Sequence, residues 1–517
     1  DLPTGGTRGR HSAGEPLTMR QIFAIGVGGT GAKCVEALVH LHACGLLAEP
    51  DGTPARLGAF LVEPDQQSAL LTRAQIAINR YGAMRRAIGR NTDRFARGEL
   101  RDYGQWSPLN TASGAISLDQ VFPKAVLRTQ APGVAALFDC LFPPEEQSAD
   151  LEVGFRGRPP IGSAVMSRIN LEQEAQVGQW QQMLGDIQTA AGSGDPPVIH
   201  LFGSVFGGTG ASGVPTLGQL LKNWLKTQGL TSIQVQASLL LPYFDFEGMA
   251  DDDTGVHAES RNFQLNTDAA LQYLRTSGRS CFDRVFLVGS DIKARYGFSI
   301  GGTSQGNAAH IVEMLAALAV RHPSTTGGGY AHVISRSSQQ CIGWEDLPDD
   351  EQVGEAIARG ARFAVAWKNN ISLEINDAQK VSMRTFVSGA PWARRFFHPG
   401  GRNADQAGRP GIRDQKELTV QSAIDQYCDT LLQWLNQLSS NLGSGFRQEL
   451  LTASMLKADD RYENNLSRVV QGKARPRRPE SSDTVESIKF RMDNLSSEAI
   501  PHRGMAGLAD CLWTQVV

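Results

Sequence analysis

Short apolar runs alternate with stretches of helical periodicity over the first two thirds of the chain. The runs have the length and apolar content of buried strands, and between them apolar positions recur with the spacing of one helix face. Strands are predicted at 21–25, 57–62, 198–202, 233–241 and 282–288, and helices at 35–47, 163–191, 218–226 and 307–320. Strands that alternate with helices predict an α/β fold with a doubly wound parallel sheet, whose ligand-binding loops lie at the carboxyl ends of the strands.

The pattern changes beyond about residue 350. Residues 362–375 predict one or two strands, whereas 418–442 and 445–456 predict helices. Residues 473–479 (KARPRRP) are typical of a solvated basic linker. A contact with a peptide or a filament is the less favoured interpretation of this linker.

Three segments follow from this organisation. Residues 1–18 predict a disordered extension or a remnant of cloning, and residues 19–325 predict an α/β domain. Residues 326–517 predict a mostly helical C-terminal region that begins with an acidic loop. Within the α/β domain, residues 75–150 show helical patches that predict no ordered arrangement.

The composition is that of a globular protein. Of the 517 residues, 41% are hydrophobic and 20% are charged, with a formal net charge of −3. This balance gives no electrostatic reason to expect a nucleic acid or an anionic membrane as partner. The seven cysteines form no C-x-x-C pair, which argues against a disulfide framework and a zinc knuckle and favours a cytoplasmic location. No apolar stretch approaches the ~20 residues that cross a bilayer, so no membrane span is predicted.

Two glycine-rich loops follow two different predicted strands. The first, GVGGTG at residues 26–31, matches the fingerprint G-x-G-x-x-G of dinucleotide-binding sites. Alone it also suits a nicotinamide or flavin enzyme, the adenylating domain of the ubiquitin-activating family, or a tight turn that needs glycine for helix packing. The second, FGGTGASG at residues 206–213, changes this choice, because two cradles favour a diphosphate or triphosphate held from several sides.

Five segments, in the order of the chain, resemble the nucleotide loops of the tubulin and FtsZ superfamily. GVGGTGAKC (26–34) resembles the first loop, and VEPDQQSAL (62–70) resembles the FtsZ segment with the sequence NTDxQAL. GFRGRPPIGSAVM (154–166) is similar to the third loop. FGGTGASG (206–213) resembles the tubulin signature GGGTGSG, and LLLPYFDFEG (239–248) resembles the FtsZ stretch with KPFxFEG.

The resemblance covers about residues 20 to 350 and implies a tubulin/FtsZ-like domain that binds GTP or GDP with Mg²⁺. It implies that backbone N–H groups of the first and fourth loops, together with the Thr209 hydroxyl, bind the phosphates. The residues concerned are Gly28, Gly29, Thr30, Gly31, Gly207, Gly208, Thr209 and Gly210. The third loop, between Gly157 and Gly162, is expected to close over the γ-phosphate. Asp65 is expected to contact Mg²⁺ or a phosphate-bound water, with a helix cap as the alternative.

Four further residues are implied in contacts with the nucleoside. Glu247 occupies the position of the ribose-contacting glutamate, and Arg261 is a candidate for the base-side arginine. Asn307 or His310, near the start of an apolar helix, is expected to read the guanine edge. The alternatives are a merely exposed Glu247 and a His310 that is a satisfied core histidine.

In this family hydrolysis uses acidic residues that the neighbouring subunit donates. CIGWEDLPDDE (341–351) resembles the corresponding FtsZ segment LNVDFADV in outline, which implies catalytic roles for Glu345, Asp346 and Asp349. Gly343 replaces the usual asparagine, and Phe206 replaces the first glycine of the tubulin signature. A solvated acidic face is the alternative interpretation of the segment.

The predicted function is a tubulin/FtsZ-like GTPase that polymerises head to tail into protofilaments and hydrolyses GTP at the subunit interface. The alternative is a nucleotide-bound scaffold that hydrolyses little and holds protein partners through its divergent C-terminal region. A Rossmann-type NAD- or ATP-dependent enzyme is less favoured, because it leaves the second glycine loop unexplained.

Overall fold

The computed structural model describes most of the chain from residue 20 to residue 516. The described ranges are 20–49, 52–109, 116–192, 196–247, 260–297, 302–304, 306–322, 329–336, 341–381, 385, 388–398, 407–440, 447–456, 465–472, 484–496 and 501–516. The predicted extension 1–18 and the predicted linker 473–479 lie outside these ranges.

A parallel sheet of seven strands forms the centre of the fold. The strands are β1 (Gln21–Val27), β2 (Arg56–Val62), β3 (Glu99–Trp106), β4 (Val198–Ser204), β5 (Gln234–Leu240), β7 (Arg284–Ser290) and β9 (Ala331–Arg336). Their order is β3-β2-β1-β4-β5-β7-β9. The chain therefore winds outward in one direction from β1 and in the other from β4, so the topological switch point lies between these two neighbours. The predicted doubly wound parallel α/β sheet is confirmed.

The strands are buried because both faces of the sheet are covered. Every residue of β4 is buried, which matches the near-continuous apolar runs of parallel strands. Successive residues of β1 alternate between two cores: Ile22 and Ala24 belong to one, and Phe23 and Ile25 belong to the other. Two short parallel pairs lie outside the large sheet: β6 (Phe244–Glu247) with β8 (Ala294–Gly297), and β10 (Cys341–Ile342) with β11 (Arg447–Gln448).

Helices of the N-terminal two thirds connect and cover the strands. α1 (Gly28–Ala43), α2 (Ala69–Ile88) and α12 (Ile311–Leu318) contribute to the first core, and α7 (Pro159–Met166), α9 (Gly178–Ala191) and α10 (Gly208–Thr227) contribute to the second. The others are α3 (Leu118–Val121), α4 (Lys124–Gln130), α5 (Pro132–Leu141), α6 (Pro144–Gln147), α8 (Leu171–Glu174) and α11 (Ser260–Cys281).

The described residues beyond 341 are mostly helical and share the first core. The helices are α13 (Asp350–Ala366), a π-helical turn (Trp367–Ile371), α14 (Ser372–Ala378), α15 (Gln415–Ser440), α16 (Val485–Asn494) and α17 (Gly504–Gln515). α15 packs on α2, where the rings of Tyr427 and Tyr81 lie 5.5 Å apart. Asp510 of α17 accepts hydrogen bonds from three successive N–H groups, those of Asp93, Arg94 and Phe95. The C-terminal region is therefore built onto the α1 and α2 face of the sheet.

Short 3₁₀ turns complete the described structure. They are Gly302–Ser304, Ala319–Arg321, Trp344–Asp346, Pro391–Arg395, Ala453–Leu456 and Leu466–Arg468. Strand β9 extends the sheet beyond residue 325, the predicted domain boundary. None of the helices described combines the length and the apolarity that a membrane crossing requires.

Three predictions of local structure are wrong. The segment predicted as strands at 362–375 is helix and π-helical turn. Arg362 to Trp367 are all buried, so this part of the chain shows no amphipathic period that would reveal a helix. The helix predicted at 445–456 is instead the two-residue strand β11 followed by a 3₁₀ turn. The single helix predicted at 163–191 is three helices, interrupted where the Asn170 side chain caps α8 and where Gly178 takes a φ of +62°.

Candidate functional site

The two glycine-rich loops meet at the switch point of the sheet. β1 and β4 are neighbours in register, with Gly26 opposite Phe202, and each runs into the N-terminus of a long helix, α1 or α10. A Cβ on Gly28 would lie 3.2 Å from the Gly210 nitrogen, so the two loops are in contact. Gly28 also has a φ of +78°, a conformation that side chains disfavour. Two helix N-termini, each with a positive partial charge and with N–H groups that have no partner within their helix, therefore converge on one place.

An open cavity lies at this place. It contains about 950 Å³ of empty space, part of which is open to solvent. Its lining includes residues of the first loop, the residues that follow β2, residues 153–157, Ser204, residues 206–210, an aromatic group and Asn307. The cavity is thus built from the carboxyl ends of several strands, as the sheet topology predicts.

Ten of the residues predicted to bind the nucleotide line the cavity. They are Gly28, Gly29, Thr30, Asp65, Gly157, Gly207, Gly208, Thr209, Gly210 and Asn307. The third segment contributes Gly154, Phe155 and Arg156 besides Gly157. The resemblance therefore selected loops that the fold brings together in space, although they are far apart along the chain.

Gly31 and Gly162 do not line the cavity. A Cβ on Gly31 would lie 2.4 Å from the Phe202 carbonyl oxygen, so this glycine permits the close approach of α1 to β4. A Cβ on Gly162 would lie 2.2 Å from Ser212 Oγ, so it permits the approach of α7 to α10. Both glycines pack helices against the site rather than contacting its space.

His310 has the geometry of a core histidine. It precedes α12, and its Nδ1 accepts a hydrogen bond from the Val312 N–H at 3.2 Å, which caps the helix. Burial lowers the pKa of this imidazole to about 3, so the ring is neutral. It is not part of the cavity lining. The backbones of Glu247 and Arg261 lie in β6 and α11, and their side chains are outside the described part of the structure.

Glu63 is a residue of the site that the sequence prediction missed. It directly follows β2, and only 5% of it is exposed. Its Oε1 accepts hydrogen bonds from the Thr209 hydroxyl and from the Asp65 N–H, each at 3.3 Å, and the Gly29 N–H also interacts with it. Burial raises the pKa of this carboxyl to about 8. The signal in the sequence was the acidic pair Glu63 and Asp65 beyond the second strand, of which only Asp65 was predicted to contact Mg²⁺.

Asp65 holds a neighbouring turn with both of its carboxylate oxygens. Oδ2 accepts the Gly302 N–H at 2.7 Å, and Oδ1 accepts the Gln67 N–H at 3.1 Å. Like Glu63, it is only 5% exposed and lines the cavity beside the two glycine-rich loops. The carboxyl groups of Glu63 and Asp65 and the Thr209 hydroxyl are oxygen ligands of the kind that Mg²⁺ prefers. A bound cation would favour the ionised form of Glu63, so this chemistry fits the implied metal ion.

An aromatic group forms part of the wall of the cavity. It consists of Phe206, Tyr243, Phe244, Phe246 and Phe263. The rings of Phe206 and Phe263 lie 4.8 Å apart, and those of Tyr243 and Phe244 lie 5.1 Å apart. A wall of this kind suits a flat ring of a ligand. Phe206, which replaces the first glycine of the tubulin signature, packs into this aromatic group.

A buried ion pair joins α1 to α12 at the same wall. Lys33 pairs with Glu313, and the Tyr243 hydroxyl donates a hydrogen bond to the same carboxylate. Glu313 also accepts the His310 N–H at 2.9 Å, which fixes the start of α12. Burial lowers the pKa of the Lys33 ammonium group. The signal in the sequence was a lysine in an otherwise apolar stretch of α1.

The predicted catalytic residues lie away from the cavity of their own chain. Glu345, Asp346 and Asp349 are exposed, and none of them lines the cavity. Asp346 Oδ2 accepts the Gly343 N–H at 2.7 Å, and Asp349 forms an ion pair with Arg321 at 3.3 Å. In a single chain Asp346 and Asp349 are thus engaged by their own neighbours and not by the cavity.

Asp93, His502 and Asp510 form another group with metal-ligand chemistry. The Asp510 carboxylate already accepts three backbone N–H groups, and His502 lies 3.0 Å from Asp93. These contacts join α17 to the loop that follows α2, which gives the cluster a structural role.

The chain matches no protein-family model and no curated protein. The relation to tubulin and FtsZ is thus a prediction from motifs, and the case for a function depends on the geometry of the site.

Proposed function

We propose that the chain binds a guanine nucleotide with Mg²⁺ in the cavity between its two glycine-rich loops. The observation that carries this proposal is the contact between the loops: two helix N-termini converge across the switch point, with two buried carboxylates beside them. A dinucleotide site of the Rossmann type uses one such loop. The second cradle favours a ligand whose phosphates are held from both sides.

Each part of the cavity has a role in this proposal. The N–H groups of the first turns of α1 and α10 bind the phosphates, and residues 154–157 cover them. Glu63, Asp65 and Thr209 hold Mg²⁺, which would neutralise phosphate charge and polarise the γ-phosphate. The aromatic group holds the base, and the side chain of Asn307 offers a donor and an acceptor to its edge.

We further propose that hydrolysis requires a second copy of the chain. The exposed Glu345, Asp346 and Asp349 are outside the cavity of their own subunit, so a head-to-tail neighbour is the source from which acidic groups would reach the γ-phosphate. There they would orient and polarise the attacking water. The contact is heterologous and extends into a protofilament.

A nucleotide-bound scaffold is the second candidate. It is favoured by Gly343, which stands in place of the asparagine of the acidic segment, and by the C-terminal helices that share a core with the α1 and α2 face. In this case the nucleotide stabilises the fold, and the helical region contacts protein partners.

Equilibrium binding of GTP, GDP, ATP and NAD, each with Mg²⁺ and with a chelator, tests the ligand. We expect GTP and GDP to bind at least tenfold more tightly than ATP or NAD, with GTP the more dependent on Mg²⁺. Preferential binding of NAD or ATP would overturn the assignment in favour of a Rossmann-type enzyme.

A further inference from the structure

The cavity residue Asn307 lies in a segment without regular secondary structure. Residues 306–310 connect a 3₁₀ turn to α12, and Asn307 is 8% exposed. The Arg73 side chain donates a hydrogen bond to the Asn307 carbonyl at 2.9 Å, and the Tyr296 hydroxyl reaches the Ala308 carbonyl at 3.4 Å. The position of the Asn307 side chain in the cavity therefore depends on contacts from other elements.

One of these contacts comes from the C-terminal region. Gln437, near the end of α15, accepts the Ala309 N–H at 3.0 Å through Oε1. The same oxygen accepts a hydrogen bond from Arg73 at 3.1 Å. Both lone pairs of this amide oxygen thus accept hydrogen bonds, one from the Ala309 N–H and one from the Arg73 guanidinium.

Arg73 is itself fixed by a buried carboxylate. Its Nε lies 2.8 Å from Glu36, which is 2% exposed and belongs to α1. A charge-assisted hydrogen bond of this kind is geometrically specific. The guanidinium therefore holds the Asn307 carbonyl from a fixed place, and the same Arg73 nitrogen, Nη1, also donates to Gln437.

We propose that Gln437 is a positioning residue of the nucleotide site, which holds Asn307 against the base through Ala309 and Arg73. The inference rests on the proposed nucleotide function and extends it: the site is completed by a residue of the C-terminal region. By thermodynamic reciprocity, nucleotide binding then stabilises the docking of α15 on α2, and a protein that displaces α15 weakens nucleotide binding.

The selectivity for guanine over adenine measures this role, because a general loss of stability would weaken GTP and ATP binding alike and leave their ratio unchanged. The full-length chain with Mg²⁺ is titrated with GTP and with ATP, and the ratio of the two affinities is compared among variants. Gln437→Met keeps the length of the side chain and removes the acceptor. Gln437→Glu keeps an acceptor oxygen, and Gln433→Met alters an exposed glutamine one turn earlier on α15. Asn307→Ala is the reference for a lost base contact.

We expect Gln437→Met to lower the GTP to ATP affinity ratio roughly tenfold, the size of one hydrogen bond to the base. Gln437→Glu and Gln433→Met are expected to keep the ratio of the wild type. In the double variant with Asn307→Ala the loss should be no larger than in Asn307→Ala alone, since both changes remove the same contact. Gln437→Ala gives a second reading should Gln437→Met fold poorly.

A wild-type ratio in both Gln437→Met and Gln437→Ala would overturn the positioning role, as would fully additive losses in the double variant. Failure of the wild type to bind GTP would instead overturn the proposed function, and the inference with it.

Discussion

The hydroxyl of Thr209, in the first turn of α10, donates a hydrogen bond to the carboxylate of Glu63, which follows β2, at 3.3 Å. The Gly29 N–H of the first loop interacts with the same carboxylate. Three strand ends, those of β1, β2 and β4, thus meet at one buried carboxyl group. This contact fixes the spacing of the two glycine loops, and the proposed phosphate and Mg²⁺ contacts depend on it.

Thr209→Val tests this arrangement, because valine has nearly the same shape and no hydroxyl. We expect about a tenfold loss of GTP affinity, since Glu63 loses a donor and the site loses an oxygen ligand. Thr209→Ser keeps the hydroxyl and should keep the affinity within about twofold. Binding by Thr209→Val as tight as by the wild type would show that this hydroxyl takes no part in the site.

Gly28→Ala is expected to prevent nucleotide binding through a steric effect in the cradle. The added Cβ would lie 3.2 Å from the Gly210 nitrogen, and the φ of Gly28 is +78°. Gly45→Ala is the matched control, because Gly45 has a φ of +86° and nothing within 4 Å of the added atom. Both variants should lose roughly 1 kcal/mol of unfolding free energy from backbone strain, and only Gly28→Ala should lose GTP affinity.

Unfolding by denaturant without nucleotide and binding of GTP measure the two effects separately. Equal losses of affinity in both variants would mean that backbone strain, rather than the cradle, controls binding.

The acidic residues predict complementation between two inactive variants. The variant with Glu345→Gln, Asp346→Asn and Asp349→Asn should bind GTP as the wild type does and hydrolyse it at least a hundredfold more slowly. Gly28→Ala should also be inactive, for lack of nucleotide. A mixture of the two should recover hydrolysis, because nucleotide on one subunit can then meet intact acidic residues on the next.

Turnover of the mixture, compared with that of each variant at the same total concentration, is the measurement. Hydrolysis by the triple variant at the wild-type rate would show that these three residues are not catalytic.

We expect stability to depend on pH through His40, which lies where α1 contacts α15 of the C-terminal region. It lies in α1, its Nδ1 is 3.3 Å from the Tyr427 hydroxyl, and its ring lies 4.9 Å from that of Trp434. Burial lowers its pKa from 6.5 to about 3. Because the pKa is lower in the folded state, the unfolded chain binds the proton more readily. The contribution of His40 to the unfolding free energy is therefore complete above pH 6.5 and is lost as the pH falls towards 3.

The variant His40→Gln removes this titration and keeps a polar group. Between pH 6 and pH 4 the wild type should lose unfolding free energy faster than His40→Gln, by up to about 1.4 kcal/mol per pH unit. Denaturant unfolding at several pH values gives the two slopes. Parallel slopes would contradict a neutral, buried His40.

Much of the central sheet was predictable because parallel strands are buried on both faces. β1 is apolar from Ile22 to Val27, and β4 is apolar from Val198 to Phe202 except for His200; such runs are recognisable without knowledge of their neighbours. β3, with the sequence ELRDYGQW, was missed because it is an edge strand whose residues are mostly exposed or partly exposed. The start of α10 was placed ten residues late, because glycines and Pro215 hide ten residues of helix.

The glycine loops of the site were predictable because they carry their own sequence signal. The contacts of Glu63, Lys33 and Gln437 were not, since each depends on partners distant in the chain that only the fold brings close. The strands predicted at 362–375 failed for a related reason: the second half of α13 is buried on all sides, so it has no polar face to reveal its helical period.

We propose that nucleotide hydrolysis requires a second copy of the chain. GTP hydrolysis is measured against protein concentration at fixed GTP and Mg²⁺, and the same samples are sedimented. We predict negligible turnover per subunit below a critical concentration, and turnover that appears together with a pellet above it. Bound nucleotide that stays intact at every concentration, without a pellet, would contradict a polymerising GTPase and favour the nucleotide-bound scaffold.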